Sequence, residues 1–417
     1  MSFLLKLCLF LLTISSVSAW MDFRIGNTIL WWTTYIITLI LLYKNRTNKF
    51  HPWSLIIWII ILNIGVLKAI FTIEYYWDWK LLISNCMAFN LCIGAMAFAN
   101  PKFTQNVLSF WFKYLWWLII PLAFFMTADG IGKYLSPYCF LALFYPILQK
   151  KQKRFVIISF LVTLILAVGA RSDQIKFIVC LSIGLLTTKR WTLKLFYKHI
   201  RILQYIFLLT PIIFFSLGIS GIFNIFRIQE ELKLSQVDYT TKEGNQANIY
   251  EDTRTWLYTE EIESAINNNY ILWGRTPARG FDSPWFSKLE NSENRGFKRA
   301  NEREHCEVSI LNIFNYWGII GVIAYFLVFF MSSYYAINKS NNLYIPIIGL
   351  YVAFRWTFAW IEDFSQFDLN MTLLWMMIGI CYSPKFRNMT NLEFKNWIKS
   401  LLYENKKYYF KNKLLPR

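Results

Sequence analysis

The sequence has few of the residues from which metal, redox and nucleotide sites are built. It contains three histidines and seven cysteines, and no two cysteines form a Cys-x-x-Cys pair of the kind that binds zinc. Only Cys306 lies in the single long hydrophilic segment, so that segment cannot hold an internal disulfide. No Gly-x-x-x-x-Gly-Lys-Ser/Thr stretch occurs, which excludes a nucleotide P-loop. We therefore expect no metal ion and no cofactor.

Acidic residues are also scarce. There are 25 Asp and Glu against 43 Lys and Arg, which gives a formal net charge of +18. Such a charge is compatible with nucleic-acid binding, but the basic residues lie in short clusters between apolar runs, as in the cytoplasmic loops of membrane proteins. We expect anionic lipid headgroups, and no nucleic acid, as the partner of these clusters.

Apolar residues dominate what remains. They make up 56% of the chain, and the mean hydropathy is +0.35. Runs of about 20 apolar residues recur, each long enough to cross a bilayer as a helix. A β-barrel would show short alternating segments instead. The prediction is an all-α, polytopic integral membrane protein with about twelve transmembrane helices and one large extracytoplasmic loop. We place the spans near 1–20, 28–43, 53–71, 80–98, 107–127, 131–147, 155–170, 174–187, 200–224, 308–334, 343–360 and 369–383.

Charge alternates between the connections that join these spans. Basic clusters follow the second, sixth and eighth spans, whereas the alternate connections carry Asp or Glu. By the positive-inside rule, both termini face the cytoplasm and the longest connection faces the periplasm of a bacterial inner membrane. The predicted regions are an N-terminal transmembrane bundle of about nine helices, the large loop, the C-terminal transmembrane helices and a basic cytoplasmic tail. Their bounds are 1–226, 227–306, 307–383 and 384–417.

The two termini allow alternative interpretations. Met1–Trp20 is similar to a cleavable signal peptide, but the many spans that follow favour an uncleaved first helix. The segment from Asn391 to Lys413 mixes apolar residues with lysine, which favours an interfacial amphipathic helix over a partner-docking tail. No internal repeat is visible, and this weakens a transporter built from inverted repeats.

The long hydrophilic segment contains most of the candidate chemistry. Its core, Glu251–Glu307, collects six arginines, many carboxylates and His305. A helix is predicted to begin at Arg254 and to end near Asn267, with Arg254 and Glu261 turned away from its apolar face. The functional interpretation is an anion site at Arg254. The alternatives are a surface helix with Arg254 in a salt bridge, and a loop whose charges only face water.

A short turn, Gly274–Gly280, follows this helix. It places Arg275 and Arg279 four residues apart, with Pro277 between them and glycines outside. The planar fork of arginine suits phosphate oxygens, and the backbone amides of such a turn can add an anion nest. The turn therefore predicts a phosphate-binding element, although this pattern is only moderately specific.

Two further arginines adjoin the spans. Arg171 follows the seventh span, where the alternative is an arginine that extends to the lipid headgroups. Arg355 lies deep in an apolar run and is followed by Glu362 and Asp363. An intramembrane arginine is a functional candidate by default, and the alternative is a buried pair that holds helices together.

His305 and Glu307 lie beside the span that begins near Val308. Either side chain could act as a general base near neutral pH. The alternative is a polar residue at headgroup level. On a helix the two side chains would point about 200° apart, so we expect only one of them to face an acceptor.

The layout and these motifs together resemble the O-antigen polymerase and O-antigen ligase superfamily of membrane glycosyltransferases, which has a GT-C-like layout. The matching elements are Asp252–Trp256, Gly274–Gly280, His305, Gly318–Gly321, and Arg171 with Ala170 in place of the family's serine. They cover about 170–175 and 250–325. In one departure, His305 lies two residues farther from Gly318 than the family's histidine usually does, and Glu307 occupies the expected place. The family's usual His-Asn pair is absent, because Cys306 follows His305.

The resemblance implies a metal-independent glycosyl transfer. An acceptor hydroxyl would attack the anomeric carbon of an undecaprenyl-pyrophosphate-linked oligosaccharide, and undecaprenyl pyrophosphate would leave. Glu307 or His305 would be the base, and the pyrophosphate ligands would be Arg171, Arg254, Arg275, Arg279 and Arg355. Implied partners are this lipid-linked oligosaccharide, membrane lipids, and a chain-length regulator and a flippase of the same pathway. We favour a surface-polysaccharide polymerase. The alternatives are an O-antigen ligase that uses lipid A core, a lipid-linked oligosaccharide flippase or transporter, and a scaffold of an export complex.

Overall fold

The computed structural model describes residues 2–23, 25–47, 52–166, 171–227, 238–240, 246–248, 254–284 and 302–401. Helices make up most of these residues, which confirms the all-α class. The first helices are α1 Phe3–Ser18, α2 Thr28–Lys44, α3 Trp53–Ile70, α4 Tyr76–Asn90, α5 Gly94–Phe98, α6 Pro101–Lys113, α7 Ile119–Leu122, α8 Ala128–Leu135 and α9 Pro137–Leu143. They are followed by α10 Lys150–Leu166, α11 Arg171–Leu186, α12 Arg190–Ile219, α13 Arg254–Asn267, α14 Ser309–Asn338, α15 Ile345–Phe358, α16 Leu369–Tyr382, α17 Pro384–Arg387 and α18 Asn391–Ser400.

Two small antiparallel sheets complete the described fold. Strands β1 Asp238–Thr240 and β2 Gln246–Asn248 pair with each other. Strands β3 Phe281–Asp282 and β4 Glu302–Arg303 pair so that Phe281 lies opposite Arg303. The second sheet closes the large loop, since it joins the residues before and after 285–301.

Four of the described helical stretches are long and apolar enough to cross a membrane. They are Trp53–Ile70, Tyr76–Phe98, Trp191–Ile219 and Ser309–Asn338. Four shorter apolar helices, α1, α2, α15 and α16, pack beside them. The protein thus has the helices of a membrane protein.

Two predicted spans are divided into short helices in the structure. The span near 107–127 is divided into α6, a short 3₁₀ turn and α7, and the span near 131–147 is divided into α8, α9 and a second 3₁₀ turn. Prolines lie at the interruptions of the 131–147 span: Pro137 begins α9, and Pro146 lies in the second 3₁₀ turn. Proline has no backbone N–H and cannot continue a helical ladder, so hydropathy alone overestimated the length of these helices.

Aromatic side chains fill the core around α14. Trp58 of α3 packs on Trp317 and Tyr325 of α14, with ring centroids 5.6 and 5.0 Å apart. Trp356 of α15 and Trp375 of α16 are also buried. Because each such ring removes a large apolar area from its surroundings, α14 is fixed at the centre of the bundle.

Helix α14 is interrupted at Gly318. The residue has φ +63° and ψ −162°, outside the helical region and favourable only for glycine. The interruption is filled by the loop after α13: Ile319 and Ile320 donate their N–H groups to the carbonyls of Ile271 and Leu272 at 2.9 and 3.3 Å. The loop and the membrane helix thus share one hydrogen-bond network.

The C-terminal helix α18 lies against the bundle. A capping box between Thr390 and Glu393 begins it. Phe394 and Ile398 are buried, and Trp397 donates its ring N–H to the Pro101 carbonyl at 3.1 Å. The predicted helix from Asn391 to Lys413 is confirmed as far as Ser400, and residues 402–417 lie outside the described part.

Candidate functional site

Residues from Arg254 to Asn267 form helix α13, which confirms the predicted helix, and the residues immediately before Arg254 lie outside the described part of the chain. The helix is held on the connection between α15 and α16. The Arg254 Nε donates to the Ile361 carbonyl at 2.5 Å, and the Tyr258 hydroxyl donates to the Trp360 carbonyl at 2.8 Å. The side chain of Arg254 is thereby directed toward the half-buried start of this connection.

An apolar groove of about 250 Å³ adjoins Arg254. Its walls are the C-terminal part of α12 (210–219), residues 224–226, the first two turns of α13 and residues 357–361. Thr255, next to Arg254, and Ile361, whose carbonyl accepts from Arg254, both line it. Arg254 therefore lies beside one rim of this apolar groove.

A buried charged group lies at residues 359–363, the first part of the connection between α15 and α16. We call it the Glu362 cluster, and it consists of Ser172, Asp173, Lys176 and Glu362. The Lys176 ammonium contacts Asp173 at 2.6 Å and Glu362 at 2.8 Å. The Ser172 hydroxyl donates to the same Glu362 oxygen, Oε1, at 3.0 Å. Glu362 Oε2 is buried and has no hydrogen-bond partner among the described residues.

Glu362 is held in its charged form. Burial alone would raise the pKa of this carboxyl, but the positive charges of Lys176 and Arg355 outweigh burial and lower its pKa below the ordinary value. An ionised carboxylate at this position requires nearby cations, and two of those cations, Lys176 and Arg355, come from α11 and α15. The cluster therefore links α11 to the connection that receives Arg254.

Arg355 lies in the interior of the bundle and is 2% exposed. Its Nη1 donates to Asn370 Oδ1 at 2.9 Å, and its guanidinium lies 4.6 Å from the Phe364 ring centroid. Nε and Nη2 have no hydrogen-bond partner of standard geometry among the described residues. The alternative, a buried pair that holds helices together, thus accounts only for the Nη1 contact with Asn370 and leaves the N–H groups of Nε and Nη2 unexplained.

The turn at 274–280 gathers its two arginines on one carboxylate. Arg279 forms a two-pronged ion pair with Glu302 of β4, and Arg275 Nη2 lies 3.1 Å from Glu302 Oε1. Arg275 also contacts Asp282 Oδ1 at 2.9 Å. Arg275 and Arg279 therefore converge on Glu302, and their predicted role as phosphate ligands stays a prediction. The fork that suits phosphate oxygens is occupied by Glu302.

Membrane helices hold this turn in place. Lys68 of α3 donates to the Gly274 carbonyl at 2.5 Å, and Asn85 of α4 donates to the Pro277 carbonyl at 2.9 Å. Asn315 of α14 donates its side-chain amide to the Arg279 carbonyl at 3.0 Å. The turn is therefore a rigid part of the bundle.

His305 and Glu307 lie in the segment between β4 and α14, so the helical geometry predicted for them is wrong. Helix α14 begins only at Ser309, and both side chains are exposed. His305 Nδ1 lies 3.2 Å from the Tyr316 hydroxyl, and Glu307 Oε1 accepts from Arg303 Nη2 at 3.1 Å. The two groups are thus positioned independently of each other.

The five predicted arginines fall into two groups. Arg254 and Arg355 lie near residues 359–363. Arg171 begins α11, next to Ser172 of the Glu362 cluster, and the Arg171 side chain is exposed. Arg275 and Arg279 meet at Glu302. Sequence reasoning missed Lys176 and its partner Asp173. Their signal was available, because Lys176 is an ionisable residue in a predicted span and Asp173 lies three residues before it, just before the start of that span.

Glu261 is a second residue that sequence reasoning misplaced. Instead of facing outward on α13, its side chain is fully buried, with Oε1 3.4 Å from the Tyr270 hydroxyl and Oε2 without a hydrogen-bond partner among the described residues. Burial raises the pKa of Glu261 well above its ordinary value. The reason for the error is that one side of α13 forms a wall of the groove, and the side that carries Glu261 is covered by the loop that contains Tyr270.

Comparisons with known families, curated proteins and solved structures give no match for this chain. Within the described part of the chain, no three His, Cys, Asp or Glu side chains are grouped so as to hold a metal ion.

Proposed function

We propose that this protein is a membrane glycosyltransferase that polymerises lipid-linked repeat units of a surface polysaccharide. The observation that carries the proposal is the position of Arg254, where the apolar groove meets the charged group around Glu362. A polyprenyl pyrophosphate has the same division into an apolar chain and a doubly phosphorylated head. The chain would occupy the groove, and the head would lie at Arg254.

In this proposal, the arginines replace a divalent metal. Pyrophosphate is a good leaving group, and fixed guanidinium groups can stabilise the charge that develops on it. Arg254 would be the first ligand, and Nε and Nη2 of Arg355 would contribute from the buried side. Arg275 and Arg279 would bind the head by exchanging it for Glu302, while Arg171 would contact it from the exposed start of α11.

The base is proposed to be Glu307, with His305 as the alternative. Glu307 is exposed, so an acceptor sugar can reach it, and Arg303 orients one of its oxygens. Glu307→Gln should abolish polymer and His305→Gln should retain it, with equal amounts of each variant in the membrane. The opposite result would assign the role to His305. Full activity in both variants would remove a general base from the mechanism.

The orientation belongs to the same proposal: about twelve spans, both termini in the cytoplasm and the 227–306 loop in the periplasm of a bacterial inner membrane. Cysteine labelling of intact cells checks it. A probe at Ser292 should react and one at Lys151, which is exposed at the start of α10, should not. The reverse labelling pattern would place the arginines on the wrong side for the donor.

Arg254 provides the central test. Arg254→Lys should lose most of the polymer, because lysine cannot form the planar two-pronged contact with phosphate. Arg201→Lys, an exposed arginine on α12 away from the groove, is the matched control and should behave as wild type. Wild-type polymer length in Arg254→Lys would refute the two-pronged contact.

A deletion strain separates the possible acceptors. Loss of long polymer with single repeats retained on lipid A core indicates a polymerase, since ligation then still occurs. Loss of both indicates a ligase. Accumulation of lipid-linked repeats on the cytoplasmic face indicates a flippase, and would refute the proposed function.

A further inference from the structure

Three consecutive apolar residues are exposed at the end of the loop that follows α13. The exposed fractions are 38% for Ile271, 60% for Leu272 and 55% for Trp273. We call this segment the apolar tip. The carbonyls of Ile271 and Leu272 accept from N–H groups of α14, so these side chains cannot turn inward without breaking those contacts. A loop surrounded only by water would gain nothing from three such side chains in a row.

The apolar tip is fixed at one end of the membrane-spanning part of α14. Its carbonyls pair with the first N–H groups after the break at Gly318, and the adjoining Gly274 carbonyl accepts from Lys68, close to the end of α3. The part of α14 beyond the break has about 20 residues and is roughly 30 Å long, which matches the hydrocarbon thickness of a bilayer. The tip therefore lies at the level where the bilayer ends.

The helices that the tip contacts are themselves apolar and exposed at this level. Ile319, which is bonded to Ile271, is 40% exposed, and Ile323, one turn farther, is 53% exposed. Leu67, next to Lys68 on α3, is 60% exposed. Lipid is the solvent for such side chains on a spanning helix. Because the tip lies beside these side chains, lipid is adjacent to the tip as well.

We propose that the apolar tip inserts into the interfacial layer of the bilayer and anchors the large loop to the lipid. Leu272 would enter the boundary of the acyl chains, and Trp273 would lie among the headgroups, where indole rings are favoured. The turn that carries Arg275 and Arg279 follows directly, so its depth relative to the headgroups is set by this anchor. The inference requires only a membrane protein and does not depend on glycosyl transfer.

Fluorescence quenching in reconstituted vesicles tests the anchor. A bimane probe is attached to Leu272→Cys, the protein is reconstituted into phosphatidylcholine vesicles, and quenching is compared between aqueous iodide and lipids that carry a nitroxide at the headgroup or in the acyl chain. Glu263→Cys, exposed on α13, is the water-facing control, and Ile323→Cys is the lipid-facing control. Labelled wild type corrects for Cys86, which is half-buried.

The Leu272 probe should be quenched several-fold more by nitroxide lipids than the Glu263 probe, most strongly by the shallow nitroxide, and several-fold less by iodide. Quenching by iodide equal to that of the Glu263 probe would overturn the proposal. Protection from both quenchers would also overturn it, because a protein surface or a second copy would then cover the tip. If Leu272→Cys does not fold, Trp273→Cys gives the same measurement.

Discussion

Replacing Glu261 by glutamine should remove a pH dependence from the stability of the large loop. Glu261 is fully buried, and burial raises the pKa of its carboxyl well above the ordinary value. The folded loop therefore binds the proton more tightly than the unfolded loop does. The stabilisation that this proton gives the loop is fully present below the pKa of Glu261 in the unfolded loop. It is lost as the pH rises from that value to the raised pKa of the folded loop. Glutamine resembles the neutral carboxyl and has no proton to lose.

The size of the effect follows from proton linkage. Inside the window between the two pKa values, each pH unit lowers the free energy of unfolding by about 1.4 kcal/mol for one proton. Two pH units therefore change the opening equilibrium roughly 100-fold. The Glu261→Gln variant adds a constant penalty of about 1–3 kcal/mol if its amide stays without a partner. The slope against pH, and not the absolute stability, is the quantity to compare.

Hydrogen–deuterium exchange measures this slope directly. Peptides from α13 are followed in detergent-solubilised protein across neutral pH, and each rate is corrected for the intrinsic pH dependence of exchange. The wild type should lose protection as the pH rises, and Glu261→Gln should not. Glu263→Gln removes an exposed carboxyl from the same helix and should retain the wild-type slope.

Two results would refute the reasoning. An unchanged slope in Glu261→Gln would mean that another group holds the proton. A wild-type loop that gains stability as the pH rises would mean that Glu261 is ionised in the folded state, with its charge stabilised by Arg275 more strongly than burial opposes it.

Two further substitutions test the bundle by thermal unfolding in detergent. Gly318→Ala should destabilise the protein by roughly 1–3 kcal/mol, because φ is positive there and the methyl group would meet the Leu272 backbone. Gly218→Ala has open space around it and should be neutral; an equal loss in both variants would refute the argument from the break. Lys176→Met should lower the free energy of unfolding by about 3–5 kcal/mol, because it leaves buried carboxylates unpaired. The double variant Lys176→Met, Glu362→Gln should recover part of that loss. No recovery would mean that Glu362 is not the partner of Lys176.

The long helices could be predicted from the sequence because one local property determines them. The predicted spans 53–71 and 308–334 agree with α3 and with most of α14 to within a few residues, since continuous hydropathy is a strong signal. The start of α13 at Arg254 was also predicted. The broken helices near 107–147 were not, because an apolar run does not show where its backbone stops being helical.

The pairing of charges in the site could not be predicted. Lys176 and Glu362 are 186 residues apart, and only the packing of α11 against the connection between α15 and α16 brings them together. The contact of Arg279 with Glu302 depends on the pairing of β3 with β4, which a two-residue strand does not reveal. The relative positions of His305 and Glu307 were misjudged because helical geometry was extended to residues that precede α14, which begins at Ser309.

The break at Gly318 also constrains the order in which the chain can be completed. The backbone groups of Asn315, Ile319 and Ile320 are satisfied by Ile271, Leu272 and Arg275, which are synthesised earlier. The turn at 274–280 must therefore remain unfinished until the last long helix has entered the membrane. An isolated 227–306 fragment would lack the partners that α3, α4 and α14 give to residues 271–279, so we expect this part of the loop not to fold as an independent domain. Insertions within 271–275 would disrupt the membrane helix as well as the loop.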